Sequence, residues 1–304
     1  VATLTEYRQT GAATAFIEAL LPEMASRGHV ISSLYAFKES YYRKFGYETC
    51  GWRWKISCPQ SRFPRPSVTL PVRQIAPEDV EALDGAYLPF IAARSGSCVR
   101  SLADWKHRLG KKTPMIYAVG DPVEGYFWGS MEQFWGDLTI GEMAWGTKRG
   151  YESLLGVMAG MGSNQSRIIW NEPPDSPFLA SYLDQGASFE VARPTMFRVL
   201  DVPGALRGLK TAQAGSFSIE VHDALMPQNA GPWRVVFSPE GVHVEATDSA
   251  DFAMDIRHFS QAYMGQPSLD DLARQGVVTI ANVAGFDSAT RLLTPLPVVC
   301  MEFF

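Results

Sequence analysis

The sequence predicts an α+β protein that is built from three successive regions, and three observations support this fold class. Short stretches in which apolar and polar residues alternate occur along the whole chain, as expected for β-strands. Between them lie segments with apolar residues at helical spacing, such as the one that follows Gly11. The proline-rich loop "CPQSRFPRPS" closes the first of the three regions.

The first region, residues 1–66, has the pattern of a βαβ-type unit with a right-handed crossover. "VATLT" is strand-like, and Ala12–Arg27 is a predicted helix that ends at Gly28 and that Pro22 should kink or divide. "VISSLYAF" predicts a second strand, Glu39–Phe45 a short helix and "YETCGWRWKIS" a further strand.

The second region, residues 67–202, has the element order of a complete α/β domain. Strand-like "TLPVRQIA" precedes the helical patterns "EDVEALDGAYLPFIAA" and "SLADWKHRLG". The strand-like segments "MIYAVG", "GYFWGSME" and "DLTIGEMAW" come next, followed by a predicted helix near Tyr151–Met161. "RIIWNEP" and "PTMFRVLDV" are predicted as closing strands.

The third region, residues 203–304, predicts a smaller α+β domain. "SFSIEVHD" and "WRVVFSPEGVHVEA" alternate with a period of two, and the second should form a hairpin that turns at Pro239–Gly241. We expect helices around Phe252–Met264 and Ser268–Arg274, and then a last strand-like stretch that runs to the terminus.

Composition excludes several classes of protein. Hydrophobic residues make up 46% and charged residues 19% of the chain, which is typical of a soluble globular protein. There is no uninterrupted apolar stretch of about 18 residues, so no membrane span is predicted. The cysteines lack disulfide or metal-ligand spacing and are interpreted as reduced thiols of a cytosolic protein, and the scattered histidines predict no metal site.

Charge is distributed unevenly around a formal total of −5. Residues 1–66 carry nine Lys/Arg against five Asp/Glu, whereas residues 211–304 carry four Arg, no Lys and eleven Asp/Glu. A basic first segment suits a polyphosphate ligand and an acidic last segment suits a cationic one, although either can equally be an ordinary solvated surface. A net negative chain without a basic stripe gives no support for nucleic-acid binding.

The stretch Arg8–Ala13, "RQTGAA", fits the pattern R/Q-x-x-G-x-G/A between a strand and a helix. Backbone amides at such a turn can hold a pyrophosphate, and small residues let it approach closely. A Walker-type loop is excluded because no Gly-Lys-Ser/Thr follows, and a dinucleotide-binding fold is not favoured because G-x-G-x-x-G is absent.

Together with "LYAFKESYYRKFGYE" at residues 34–48, this loop resembles the acetyl-CoA-binding half of the GNAT superfamily of N-acetyltransferases. The "YYRKFGYE" form resembles more narrowly the Eis (enhanced intracellular survival) acetyltransferases. The segments "RSGSCVR", "ADWKHRL", "EGYFWG" and "PTMFRVLDV" in the second region, and "LDDLARQGVVTI" and "VCMEFF" in the third, are similar to landmarks of that family.

The resemblance implies two tandem GNAT-type α/β domains followed by a sterol-carrier-protein-like α+β domain. Residues 1–66 would be the C-terminal part of the catalytic GNAT domain, apparently truncated before Val1, so that residues of the acceptor pocket would be missing. Residues 67–202 would be a degenerate GNAT-type scaffold, because "WGTKRGYE" lacks the paired small residues before the helix. Residues 203–304 would be the sterol-carrier-protein-like domain that ends in the catalytic C-terminus.

The resemblance also implies roles for individual residues. Tyr42 matches the general acid that protonates the departing thiolate, with Tyr41 and Tyr47 as neighbours that more plausibly serve packing. The α-carboxylate of Phe304 matches the general base, and Glu302 is a candidate cation contact. The predicted acetyl-CoA contacts are Val1, Thr3, Arg8, Gln9, Thr10, Gly11, Ala12 and Ala13.

The predicted function is therefore acetyl-CoA-dependent N-acetylation of primary amines by direct transfer in a ternary complex, without a metal. By resemblance the acceptors are cationic small molecules or lysines, including aminoglycosides acetylated at several positions, and the protein is a cytoplasmic homo-hexamer. Two alternatives stay open: a lipid or sterol carrier that uses the C-terminal domain, and a non-catalytic interaction protein.

Overall fold

The protein is described by a computed structural model that covers residues 4–7, 9–109, 115–131 and 135–302. The chain folds into two compact units that do not follow chain order. The first unit contains the residues up to Cys50 and Thr195–Leu296, and the second contains Gly51–Pro194 and the residues from Pro297 onward. The domain boundaries after residues 66 and 202 stay a prediction.

The first unit begins with helix α1 (Ala12–Ser26), strand β1 (Ile31–Tyr35) and helix α2 (Glu39–Arg43). The sequence predicted all three elements. Strand β1 pairs antiparallel with the end of strand β8 (Ser188–Val199), where Ile31 lies opposite the last residue of β8.

Helix α1 runs through Pro22, so this proline does not divide the helix, and a kink at this position stays a prediction. Ile17 and Leu21 bury one face of α1 in a hydrophobic cluster, and this packing is independent of the hydrogen bond that proline removes.

The strand predicted for "VATLT" is not seen in the part of it that the structure describes. Thr5–Tyr7 form a turn of 3₁₀-helix instead, and Val1 to Thr3 lie outside the described residues. A strand needs a partner for its backbone groups, so a short alternating pattern alone does not determine one.

The remainder of the first unit is an α+β assembly around a five-stranded sheet. Its elements are α7 (Val202–Gly208), β9 (Gly215–His222), β10 (Gly231–Ser238), β11 (Gly241–Ala246), β12 (Phe252–Asp255), α8 (Ile256–Met264), α9 (Leu269–Arg274), β13 (Val278–Ile280) and α10 (Val283–Leu292). The strand order in the sheet is β11-β10-β9-β12-β13, and all neighbours are antiparallel except β9 and β12, which are parallel.

Two expectations for this region are corrected. The segment Phe252–Met264 was predicted as one helix, but its first four residues form β12 because they pair with β9 on one side and β13 on the other. The predicted final strand is mostly absent from the described residues, because Asn282 caps α10 and the chain continues as a helix to Leu292.

The second unit is built around a mixed sheet. Its elements are β2 (Glu48–Pro59), which begins in the first unit, β3 (Val72–Gln74), α3 (Asp84–Ala92), α4 (Leu102–Leu109), β4 (Met115–Val119), β5 (Gly125–Met131), β6 (Asp137–Trp145), α5 (Lys148–Met161), β7 (Arg167–Glu172), α6 (Pro177–Ser181) and the start of β8. The strand order is β8-β2-β7-β6-β5-β4-β3; β6 and β7 are parallel, whereas β2–β7, β3–β4, β4–β5 and β5–β6 are antiparallel. Large side chains such as Trp105, Trp170 and Tyr126 fill the core of this unit. In the described ranges, no helix is both long and apolar enough to cross a membrane.

Gly46, in the stretch "YRKFGYE" of the first unit, is constrained by a buried arginine. Its φ of 82° is in the left-handed region. A Cβ atom at this position would lie 1.5 Å from Nη1 of Arg198, whose side chain is fully buried. Asp223 accepts hydrogen bonds of 2.9 and 2.8 Å from Nη2 of Arg198 and so holds the guanidinium in place. Both the backbone conformation and this neighbour therefore require glycine.

We expect Gly46→Ala to lower the free energy of unfolding by about 2–5 kcal/mol, through left-handed strain together with overpacking against Arg198. Gly28→Ala is the matched control, because Gly28 has a φ of 85° but nothing within 4 Å of the added methyl. That control should lose only about 1–2 kcal/mol. Urea denaturation of both variants measures the difference, and equal losses would contradict the role of Arg198.

Candidate active site

The N-terminus of α1 is a candidate anion site. Gly11 is the N-cap residue with a φ of 86°, and no side chain of the described residues caps the helix. The first helical hydrogen bond runs from Ala15 N to Gly11 O at 3.0 Å. Apart from its chain neighbours, no described residue has an atom within 4 Å of the place where a Gly11 side chain would begin. The amides of the first turn, followed by the small residues Ala12 and Ala13, are therefore accessible to an anion such as a pyrophosphate.

The region around α2 adds a cation beside this helix terminus. Nζ of Lys44 donates a 3.1 Å hydrogen bond to Oγ1 of Thr14, which lies in the first turn of α1. The same ammonium lies 4.2 Å from the ring centroid of Tyr41. Lys44 was not among the predicted site residues, although the basic pair in "YYRKFGYE" was a signal for it. Its charge strengthens the anion-binding character of the α1 N-terminus.

Tyr42 is packed against α1 but keeps an uncommitted hydroxyl. Its side chain is 8% exposed and belongs to the hydrophobic cluster that contains Ile17 and Leu21. Its hydroxyl makes no hydrogen bond within the part of the chain that the structure describes, whereas the Tyr47 hydroxyl lies 2.7 Å from Oγ of Ser32. Tyr42 is therefore the buried tyrosine of this pair whose proton is available.

Burial, with a smaller effect of the neighbouring Tyr41, raises the pKa of Tyr42 above its ordinary value of 10. The phenol is therefore protonated at neutral pH, as a general acid must be. Arg43 fixes the helix that carries it, since its Nε donates to both carboxylate oxygens of Glu48, at 2.9 and 3.0 Å, and its Nη2 donates to Glu39 at 3.0 Å.

The other predicted contacts of acetyl-CoA are only partly described. Gln9 and Thr10 are exposed and precede Gly11 in a turn, and Gln9 has a positive φ of 65°. Val1, Thr3, Arg8 and the predicted base Phe304 lie outside the described residues; their roles stay predictions.

In the second unit, hydrogen bonds hold the segment from Pro297 to Glu302 beside Ser95 and Ser97. Ser95 N donates to Pro297 O at 3.0 Å, and Val299 N donates to Ser95 O at 2.9 Å. The Ser97 hydroxyl donates to Val299 O at 2.8 Å. This segment leads directly to the C-terminal phenylalanine.

Two arginines and a buried carboxylate clamp the end of that segment. Glu142 is 4% exposed and accepts hydrogen bonds of 2.8 and 3.0 Å from Arg100 and one of 2.8 Å from Nε of Arg108. Arg100 also donates to Glu302 at 3.0 Å, and Arg108 donates to the carbonyl oxygen of Met301. Both arginines lie in sequence segments that resemble family landmarks, but only the folded structure brings them to the C-terminal segment.

Glu302 also lines a cavity of about 610 Å³ in the second unit. Hydrogen bonds from the side chain and backbone of Ser101 lower the pKa of Asp104, a second carboxylate of this cavity. The cavity thus combines carboxylates with the two arginines of the clamp. Its lining residues are Cys98, Val99, Arg100, Asp104, His107, Arg108, Trp128, Gly141 and Glu302.

Across the described ranges of the chain, no group of three or more His, Cys, Asp and Glu side chains is arranged to hold a metal ion.

Two family models match the chain. The model of the acetyltransferase (GNAT) domain matches residues 1–50, and that of the sterol carrier protein domain matches residues 202–301. A relative from Streptomyces coelicolor named "uncharacterized N-acetyltransferase" is 25% identical over 311 residues, which cover 91% of this chain and 73% of the relative.

Solved structures of the same class share the fold over the whole chain. A GCN5-related N-acetyltransferase from Anabaena variabilis has a TM-score of 0.89 and 22% identity, and 80% of its own length is covered. Eis1 from Mycobacterium abscessus has a TM-score of 0.80 and 21% identity, with 81% of its length covered. Each comparison covers 100% of this chain.

These matches define the class of protein: residues 1–50 match the acetyltransferase (GNAT) domain, and the chain is similar over most of its length to a protein named as an N-acetyltransferase. More narrowly, residues 202–301 match the sterol carrier protein domain and the chain shares the fold of Eis1, and both findings fit the Eis-like N-acetyltransferase with a sterol-carrier-protein-like C-terminal domain that the sequence motifs implied. The predicted fold class, GNAT-type α/β followed by an α+β sterol-carrier-protein-like domain, is confirmed. GNAT acetyltransferases use acetyl-CoA as the acetyl donor.

Proposed function

We propose that this chain transfers the acetyl group of acetyl-CoA to primary amines of cationic acceptors, by direct transfer in a ternary complex. The observation that carries the proposal is the uncapped N-terminus of α1, with Gly11 in front of it and Tyr42 packed against the same helix. An anion site and an available phenolic proton on one pair of helices are what such a reaction requires.

The residues present fit the pyrophosphate of acetyl-CoA. Free amides, open space at Gly11 and the ammonium of Lys44 all favour a compact polyanion at this helix terminus. We assign the contacts to Arg8, Gln9, Thr10, Gly11, Ala12 and Ala13, with Val1 and Thr3 flanking the pantetheine arm. When bound, acetyl-CoA supplies the thioester carbon that the acceptor amine attacks.

Two residues handle protons in the proposed reaction. Tyr42 donates its phenolic proton to the sulfur as the carbon–sulfur bond breaks, which leaves the free thiol of coenzyme A as the product. The α-carboxylate of Phe304 accepts the proton that the attacking amine loses. An unperturbed α-carboxylate has a pKa of about 3.3–3.7 and is ionised at neutral pH, so it can serve as a proton acceptor.

The acceptor is proposed to be cationic, because residues 211–304 are strongly acidic and because Asp104 and Glu302 line the cavity of the second unit. By resemblance the acceptors include aminoglycosides modified at several amines, and the assembly is a cytoplasmic hexamer. Residues 67–202 would then be scaffold and residues 203–304 would deliver the C-terminus.

Thiol release from acetyl-CoA in the presence of kanamycin tests this function, with full-length protein that has a free C-terminus. More than one equivalent of thiol per kanamycin is the expected result for a multi-acetylating enzyme. Release with lysine peptides but not with kanamycin would reject the aminoglycoside acceptor, and absence of acetyl-CoA binding would reject the function altogether.

Gly11→Glu should lower the affinity for acetyl-CoA by about 100-fold or more, because it places a side chain and a negative charge against the pyrophosphate. Gly28→Glu is the matched control: Gly28 follows the other end of α1 with nearly the same φ and with equally open space. Calorimetric titration should show normal affinity for the control. Unchanged affinity of Gly11→Glu would reject the loop assignment.

Tyr42→Phe should preserve acetyl-CoA binding and lower turnover on the order of 10²-fold or more, because it removes the general acid. Tyr41→Phe, one residue away in α2, should keep the normal rate. Because burial raises the pKa of Tyr42, the wild-type rate should not fall from ionisation of this group until the pH exceeds about 10. A normal rate for Tyr42→Phe would remove this residue from the mechanism.

One extra residue after Phe304 should displace the α-carboxylate and reduce turnover by about 10²-fold, as expected for loss of a general base. The urea midpoint should stay unchanged, because Arg100 and Arg108 still hold the preceding segment. Steady-state turnover and denaturation of the extended protein measure the two effects. Full activity would disprove the terminal base.

A further inference from the structure

A polar cavity of about 420 Å³ lies in the first unit, within the sterol-carrier-protein-like region. Its walls come from β9, β10 and α10, and it is not used in the proposed acetyl transfer. Its lining includes Ser216, Ser218, Arg234, Asp251, Ser288 and Arg291.

Two arginine side chains line this cavity, although arginines are scarce in this part of the chain. Residues 211–304 contain four Arg and no Lys. Arg257 and Arg274 are ion-paired with aspartates two or three residues away. Arg291 makes only a long 3.5 Å hydrogen bond to a backbone oxygen, and Arg234 makes no hydrogen bond or ion pair with any residue that the structure describes. The two arginines without an ion pair thus face the same cavity.

Asp251, the carboxylate among the described lining residues, already accepts hydrogen bonds from the protein. One oxygen of Asp251 accepts a 2.7 Å hydrogen bond from Ser218 N, and the other accepts a 2.7 Å hydrogen bond from Nδ2 of Asn282. Asn282 also caps α10. Asp251 therefore shapes the wall, and two guanidinium groups against one carboxylate leave the cavity net positive.

Ser288 is an independent indication that this cavity binds a ligand. The residue is 3% exposed and lines the cavity, yet its Oγ has no hydrogen-bond partner among the described residues. Buried hydroxyls in folded proteins are almost always hydrogen-bonded. An acceptor atom bound in this cavity would satisfy it.

We propose that this cavity binds the phosphate group of a small soluble phosphomonoester. A phosphate presents three strong acceptor oxygens, and arginine forks bind such groups in bidentate fashion. Two guanidinium groups and three serine hydroxyls supply more hydrogen-bond donors than the two oxygens of a carboxylate ligand could accept, which favours a phosphate. The volume is within the range of small-molecule pockets, which leaves room for an organic group beyond the phosphate.

Calorimetric titration of the full chain with inorganic phosphate and with glycerol 3-phosphate, at constant ionic strength, tests the proposal. Gly11→Glu serves as the background protein, so that the N-terminus of α1 does not contribute phosphate binding. We expect saturable one-to-one binding of both probes, which Arg234→Met and Arg291→Met each weaken about tenfold or more. Arg274→Met removes an ion-paired arginine of the same region and should leave the affinity unchanged.

Ser288→Ala separates ligand binding from folding. The variant should weaken phosphate binding without lowering the urea midpoint, because the hydroxyl has no protein partner to lose. Absence of saturable binding, or equal weakening by Arg274→Met, would overturn the site. Arg234-dependent binding to phosphatidic acid vesicles without binding of glycerol 3-phosphate would overturn the soluble ligand and assign the phosphate to a lipid.

Discussion

The buried ion pair between Arg198 and Asp223 organises the first unit. Arg198 lies in the part of β8 that pairs with β1, and Asp223 directly follows β9, so the pair joins that strand to the five-stranded sheet. Asp223 also accepts a 3.0 Å hydrogen bond from Nδ2 of Asn229, which in turn donates to Leu200 O at 3.1 Å. A buried carboxylate such as Asp223 is tolerated because these donors surround it. The Gly46 turn rests against the same guanidinium, which explains why a residue distant in sequence restricts the stretch that carries Tyr42.

The chemistry proposed for the first unit depends on how closely α2 follows α1. A helix N-terminus alone is a weak anion site, but Lys44 brings a full positive charge to its first turn through Thr14. The hydrophobic contacts that hold Tyr42 against α1 also remove it from water, and this burial keeps its proton in place at neutral pH. Packing and acid strength therefore have the same physical origin, and the hydroxyl remains free because no neighbouring side chain competes for it within the described residues.

Arginine–carboxylate clusters perform a second positioning task in the second unit. Glu142 pairs with both Arg100 and Arg108, and the remaining donors of these arginines reach the C-terminal segment at Glu302 and Met301. The energetic logic is the same as at Asp223: a buried carboxylate is stable only when donors surround it, and those donors fix whatever else they contact. By contrast, the arginines of the 420 Å³ cavity have no ion-pair partner among the described residues, which is why a ligand is inferred there.

The sequence by itself determined the features whose signals are local. Helix α1, the β10–β11 hairpin and the glycine turn before Ala12 follow from periodicity and turn chemistry over a few residues, and the motif around Tyr42 lies in the segment that matches the acetyltransferase (GNAT) domain. Only the tertiary structure decided that Phe252–Asp255 is a strand, because its hydrogen-bond partners lie in β9 and β13. It alone assigned Lys44 to the helix terminus, Arg100 to the C-terminal segment and Gly46 to the buried guanidinium. Each of these contacts joins residues that are well separated in the chain, and a sequence pattern within one segment therefore cannot predict it.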